Sequence, residues 1–488
     1  MLRDGNQKFL MNHGDTEARR KTGGGARWGW PAAVFAGVLA AQWVLVAVAG
    51  TDIPFHDQWN IEGQWLYPAW RDGSIRAAEF FQPFNEHRIL WTHLLNLGLF
   101  TLNGQWDPLV QLAAIALLRA GCAAGIVRLV GPTLTGPGRA MLAVAVAVAF
   151  LPHLAWHNVL WGIESHAYFS MGYSLVALAL LGEAGWSGRR VAAGVAVEIA
   201  GLYAMGPSAL VPAALLGLAA IRAVERRRIE RRLGAQFGLA AGLLVLALAL
   251  RMEVPEHAVL KASGPVQFVE AAGKMLGWPH VNAPWAALAV NLPLVLVVAG
   301  RMARRRGAVR GEDFVVLVGG WSAAIGLATA WARGGSAELA VGVPSRYVDF
   351  IVLLPLANLW CVVTLAGEAA ARWRASARWV AMGWGAFLAI GWLGLSVEMM
   401  QRIILPRMRD REAPVRLAVA FQRSGDATVF AGQPRLLVPH PNPESVRAVL
   451  TDERMRGVLP PSLQPERPMG PWSRGVRWLL GRGGDAGK

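Results

Sequence analysis

VFAGVLAAQWVLVAVAG, residues 34–50, holds no charged side chain. It is one of several such runs: AMLAVAVAVAFL (140–151), LAAGLLVLALAL (239–250) and IVLLPLANLWCVVTLA (351–366) read the same way. Each lies within a stretch of about 17–25 residues, the length that a tilted helix needs to cross a bilayer. In lipid, such a run has to be helical, because the backbone has no other partner for its polar groups. The chain of 488 residues is 54% hydrophobic, with a mean hydropathy of +0.35. These features predict an all-α integral membrane protein. The first run is long and follows Arg19, Arg20, Lys21 and Arg27. It reads as an anchor rather than a cleaved leader.

Positive loops set the threading. Residues 1–29 form a basic cytoplasmic segment, residues 30–398 a polytopic domain of about 11 spans, and residues 399–488 a Pro- and Arg-rich tail. Spans are expected near 30–50, 108–129, 140–156, 166–183, 191–206, 208–222, 234–251, 284–300, 313–332, 347–366 and 378–398. The loops at Arg226–Arg232 and Arg304–Arg306 then face the cytoplasm. A long first outer loop covers 51–107, its segment 89–102 being apolar enough to lie in the interface, and a second outer loop covers 252–283. The tail follows outside, although Arg402, Arg407, Arg409 and Arg411 at its start resist export.

The net charge of +16 belongs mostly to the short loops, where it sets topology, so it gives no reason to expect nucleic acid. Cys122 and Cys361 both lie in apolar runs, without disulfide or metal-type spacing. No HxH or HExxH pattern is present.

On this threading nine of the ten histidines fall at the outer face; His13 is the exception. Topology rules place Arg and Lys but are silent on His, so the asymmetry points to a functional face. Two clusters stand out in the first loop. Phe55-His56-Asp57-Gln58-Trp59 sets a carboxylate beside an imidazole and an indole, suited to general-base work next to a ring on which a sugar can stack. Asn85-Glu86-His87-Arg88 joins an acid, a titratable ring and a fixed cation. The turn between the third and fourth spans adds Trp161, Glu164 and His166. Arg346 and Tyr347 open the tenth span, where a helix start and a guanidinium suit a phosphate; a snorkelling anchor, or a local bridge to Asp349, reads equally well. Arg119 and Glu198 fall deep in the bilayer, and two such charges are expected to pair.

With a long first outer loop, an acid just after the first helix and an Arg near a later helix start, the chain resembles the GT-C superfamily of membrane glycosyltransferases. It is most similar to bacterial polytopic proteins with first-loop Asp-Gln-Trp and Glu-His-Arg, here Asp57-Gln58-Trp59 and Glu86-His87-Arg88. The resemblance covers about residues 28–400. It implies transfer of a sugar from a polyprenyl-phosphate carrier to a glycan or lipid acceptor, outside the bacterial plasma membrane. Asp57 is then the base and Glu86 the reserve, with His56, Trp59, His87, Arg88, Trp161, Glu164, His166, Arg346 and Tyr347 around the substrates. Several GT-C families carry adjacent paired acids in this loop, whereas this chain has Asp57 with Asp52 five residues before it. That departure leaves a divalent cation an open matter. A transporter or lipid flippase, or a non-catalytic envelope-assembly protein, is the alternative; a flippase predicts midplane polar groups and internal symmetry, and no repeat is visible.

Overall fold

The computed structural model describes residues 28–183, 185–305 and 307–482. Residues 1–27 of the basic segment, His13 among them, lie outside that description. Along the first half run α1 (Gly29–Ala49), α2 (Leu90–Asn103), α3 (Pro108–Val130), α4 (Gly136–Ala149), α5 (Ser165–Leu181), α6 (Gly188–Leu202), α7 (Val211–Arg226) and α8 (Arg231–Ala249). Then come α9 (Pro265–Leu276), α10 (Ala286–Arg304), α11 (Glu312–Arg333), α12 (Ser345–Ile351), α13 (Leu353–Glu368) and α14 (Arg374–Met399). The tail holds α15 (Ala413–Ser424), α16 (Pro443–Thr451) and α17 (Pro471–Leu479). Among the described residues there is no strand, only an isolated bridge between Phe84 and His87.

The chain is a multi-pass helical membrane protein. Eight helical stretches among the described residues are long and apolar enough to cross a bilayer: those built on α1, α3, α7, α8, α10, α11, α12 with α13, and α14. Three of the expected spans are shorter. α4, α5 and α6 have 14, 17 and 15 residues, so α4 rises only about 21 Å at 1.5 Å per residue. Between α4 and α5, residues 150–164 fold as turns and a short helix, Trp156–Leu160, almost entirely buried. Irregular backbone is tolerated at such depth when protein surrounds it. The expected interfacial segment 89–102 is α2.

The Arg-rich end is held by ion pairs. Arg222 and Arg301 both reach Asp313 at 2.6 Å, and Arg301 also forks onto Glu225. They tie α7, α10 and α11 together. At the opposite end, the basic start of the tail has a local use. Arg407 Nε donates to Ala49 O (3.1 Å), Arg411 to Ala47 O (3.2 Å), and Arg482 to the carbonyls of Val46, Ala47 and Gly50. Val46 O also accepts from the capping Gly50 N–H, whereas the carbonyls beyond it are the ones that α1 leaves open, at the negative end of its dipole.

The expected pairing of Arg119 with Glu198 does not occur. Arg119, on α3, forks onto Asp349 of α12 with two bonds of 3.0 Å and donates to Phe150 O at 2.8 Å. The Tyr168 hydroxyl of α5 completes Asp349 at 2.7 Å. Arg119 and Asp349 are both 0% exposed. Arg119 and Glu198 are both buried, as their apolar surroundings in the sequence suggest, but the direction in which each faces depends on packing. Glu198 sits on α6 with neither oxygen hydrogen-bonded. The pairing with Arg119 also removes Asp349 as a local partner for Arg346.

Breaking a buried pair leaves a bare charge, which costs about 3–5 kcal/mol. Arg119→Ala is therefore expected to lower stability by that amount in thermal or denaturant unfolding in detergent. Glu198→Gln, which breaks no bond, is expected to leave the transition nearly unmoved.

Candidate functional site

The first loop and the tail share one core. Ile53, Trp59, Tyr67, Leu97, Phe100 and Trp106 pack with Phe421, Phe430, Val446, Val449 and Met455 of the tail. Beneath it lies Glu62, fully buried. Its carboxylate accepts from Asn96 (2.6 Å), Trp106 (2.8 Å), Gln111 (2.9 Å) and Gln58 (3.2 Å). Burial pushes this carboxyl up, and the four hydrogen bonds pull against it. The network reaches the buried segment between α4 and α5 through Gly162, whose N–H donates to Gln58 Oε1 at 3.3 Å. A Cβ at Gly162 would stand 2.7 Å from Gln58 Nε2, so only glycine lets the two segments approach this closely.

Trp59 does not offer its face to a substrate. It is 0% exposed, donates to Pro54 O at 2.7 Å and packs edge-on against Trp106. The wide helical turn Trp59–Leu66 rotates it into the shared core. Trp161 is the indole beside the site: it stands edge-on to His56, with centroids 5.8 Å apart, and its ring nitrogen has no partner.

Asp57 carries a carboxylate that no described residue hydrogen-bonds or pairs with. Burial raises it above the usual carboxylate range, while His440, His166, Arg346 and Arg435 draw it back down. Glu164 lies in the same field with its carboxyl raised by burial, and its Oε2 is 3.3 Å from His166 Nε2. His56 stacks on Phe55 at 3.8 Å and is driven down to about 3, first by burial and then by Arg435 and His440. His157, buried between Arg346 and His56, is also held neutral, chiefly by burial. Asp57, His56, Trp161, Glu164, His166 and Arg346 thus come together. The segment 150–164 is fixed to α12 by Asn158, which donates to Arg346 O at 3.1 Å. Arg346 itself pairs with Glu338 at 2.8 Å.

The second first-loop cluster lines a cavity of about 520 Å³. Its lining is apolar on one part, from Leu210, Leu244, Leu248, Ile325 and Trp331, and polar on another, with Glu86, His87, Arg88, Arg333 and Tyr347. Glu86 does not pair with Arg88. It accepts from Arg333 at 2.6 Å and meets His257 Nδ1 at 2.8 Å. Burial works against that carboxylate's charge, but His257 and Arg333 outweigh it and hold the carboxyl below its ordinary value. Arg88 turns away to Phe81 O (2.6 Å) and the Met252 sulfur (3.8 Å). His87, pushed down to about 4 mainly by burial, lies 3.2 Å from where a Cβ on Gly206 would be. His87 Nδ1, Arg88 Nε and Arg333 Nη1 are buried without acceptors. Tyr347 lines this cavity, and the Arg346 guanidinium lies 5.3 Å from its ring centre. The two clusters therefore meet at the start of α12.

Four described non-glycine residues have positive φ; Arg227 and Arg305 end helices, and the other two belong to the first loop. His56 (φ 45°) and Asn85 (φ 50°) adopt the left-handed region, each immediately before a candidate acid. Non-glycine residues there are uncommon and collect at functional sites. At His56 the turn is held by the tail, because its N–H donates to Pro439 O at 2.7 Å.

Sequence reading missed Arg435 and Arg333, and it gave His157 and His440 no role. The signal for His440 was present in the histidine asymmetry, but nothing local connected the tail to the first loop. Among the described residues no three His, Cys, Asp or Glu side chains group as a metal site. No family model matches the chain, and no curated protein or solved structure matches it either.

Both tryptophans are expected to behave as core residues in experiment. Trp59→Ala removes a core indole and is expected to cost about 3–5 kcal/mol. Trp161 is buried with Phe55, Ile61, Ile89 and Ile163, and Trp161→Ala is expected to cost a similar amount. Thermal unfolding of both variants in detergent checks this.

Proposed function

We propose that the chain is a membrane glycosyltransferase of the GT-C kind, moving a sugar from a polyprenyl-phosphate donor to a glycan or lipid acceptor at the outer face of a bacterial inner membrane. The short helices α4, α5 and α6 count as spans in this reading, which gives eleven crossings. The observation that carries it is a juxtaposition. A largely apolar cavity lined in part by three acceptorless buried donors is linked through Tyr347 and Arg346 to a carboxylate without a hydrogen-bond partner, Asp57. An isoprenoid suits the walls, and a phosphate suits His87, Arg88 and Arg333.

Asp57 takes the proton from the acceptor hydroxyl. The hydroxyl oxygen bonds to the anomeric carbon as the bond from that carbon to the lipid phosphate oxygen breaks. The electron pair leaves with the phosphate. Arg346 and the cations of the cavity stabilise that charge in a site of low dielectric, commonly a large catalytic contribution. Glu164 and His166 border the acceptor, with Trp161 as the stacking ring. Glu86, already engaged by Arg333 and His257, orders the polar part of the lining.

The test compares envelope glycans by mass spectrometry in cells carrying wild-type protein, Asp57→Asn at matched level, or a deletion. One sugar is expected to vanish in both altered strains, with transfer in Asp57→Asn slowed about 10²–10⁴-fold. If the deletion removes a sugar and Asp57→Asn does not, the base is misassigned. If neither changes a glycan, the flippase or assembly reading replaces this one.

A pH profile gives a second check. The base must be ionised, so transfer falls as pH drops through the raised Asp57 value. Arg435 pulls that value down. Arg435→Gln is therefore expected to move the acid limb to higher pH and leave the plateau above it unchanged, as read from transfer rates with a prenyl-phosphate sugar.

A further inference from the structure

The final helix, α17, has two unlike faces. Ser473, Val476, Arg477 and Leu480 point inward. Ser473 is buried and shares its hydroxyl with Asn103 of α2 at 2.9 Å. Arg477 pairs with Asp52 at 2.9 Å and also with Asp107. On the other side Trp472 is 48% exposed, Trp478 73% and Leu479 61%. Gly475 lies between them and Arg474 borders them, also exposed. Two large indoles and a leucine facing outward are costly in water, at roughly 25 cal/mol per Å² of apolar surface left uncovered.

The contacts of α17 fix its height. Asp107 caps the amino end of α3, and its Oδ1 accepts from Leu109 N at 2.9 Å. Arg482, just past α17, binds the last carbonyls of α1. Both membrane helices therefore end where α17 lies. The helices it touches at Asn103 and at the end of α1 themselves carry exposed apolar groups, Leu102 on α2 (62%) and Val44 on α1 (64%). A short helix with Trp and Leu on one face and polar groups on the other is the form that lies in a bilayer interface, its indoles at head-group depth.

We infer that α17 is an amphipathic anchor whose Trp472–Trp478–Leu479 face is embedded in the bilayer surface on the side that carries Asp57. The occupant of that face is lipid, because the neighbouring Arg477 and Arg482 fasten the helix to the ends of two membrane helices, α3 and α1, at the level of the bilayer surface. The anchor holds the tail down, and with it the segment bearing Arg435 and His440. This inference does not depend on the glycosyltransferase reading.

The experiment uses the full chain in phosphatidylethanolamine–phosphatidylglycerol vesicles. Trp478→Cys and, on the same face, Leu479→Cys are labelled with a bimane fluorophore. Ser424→Cys, exposed on α15, is the control, and the native Cys122 and Cys361 are buried. Both positions are surface sites, so folding is retained. Lipids carrying a nitroxide at the head group or upper acyl chain are expected to quench the labels at 478 and 479 several-fold more than the label at 424. Aqueous iodide is expected to show the reverse order. Equal iodide quenching at all three positions overturns the inference, as does shielding of 478 and 479 from both quenchers, which would mean that protein covers the face.

Discussion

The carboxylate of Glu62 is the point on which the site's architecture hangs. It is removed from water, yet no cation answers it; an amide each from Gln58, Gln111 and Asn96 and the indole of Trp106 do so instead. Neutral donors have fixed directions, so satisfying one buried acid fixes four side chains at once. Those four come from the first loop, α2, the turn before α3 and α3 itself. Gln58 is the neighbour of Asp57, and through Gly162 the same network aligns the segment that bears Trp161 and Glu164. Two loops from distant parts of the chain are thus set against each other by one group.

A second buried acid does the same for the other half of the site. Asp349, held by Arg119 and Tyr168, fixes α12 to α3 and α5. Arg346 stands three residues earlier on the same short helix, so its position follows from that pair. Such an arrangement contributes specificity more surely than net stability, since removing two charges from water is expensive. The shortness of α4 and α5 belongs to the same design: the missing helical turns leave room for residues 150–164, whose side chains line the site.

How much of this was legible follows from the range of each signal. Apolar runs and basic loops act over one helix, so the helical membrane class could be read directly, and the apolar segment that became α2 could be read as a helix. The histidine asymmetry anticipated a shared face, and Asp57, His56, Glu164, His166, Trp161 and Arg346 do converge. Trp59 was misread because motif proximity says nothing about rotation, and the wide turn at Trp59–Leu66 turns its ring into the core. Arg119 was paired with the wrong acid because depth gives no azimuth. Arg435 escaped notice because its relation to Asp57 exists only once the tail has folded back onto the first loop.

That folding back imposes an order on biogenesis. His56 is gripped by Pro439, and the carbonyl end of α1 is closed by Arg407, Arg411 and Arg482. During synthesis the first loop emerges early and must wait, with its acid and its half-built turn, until every later helix has been inserted. Only then does the tail arrive to close the cap. A nascent chain therefore lacks the complete cluster around Asp57 at every stage of insertion, and that cluster closes only when assembly ends.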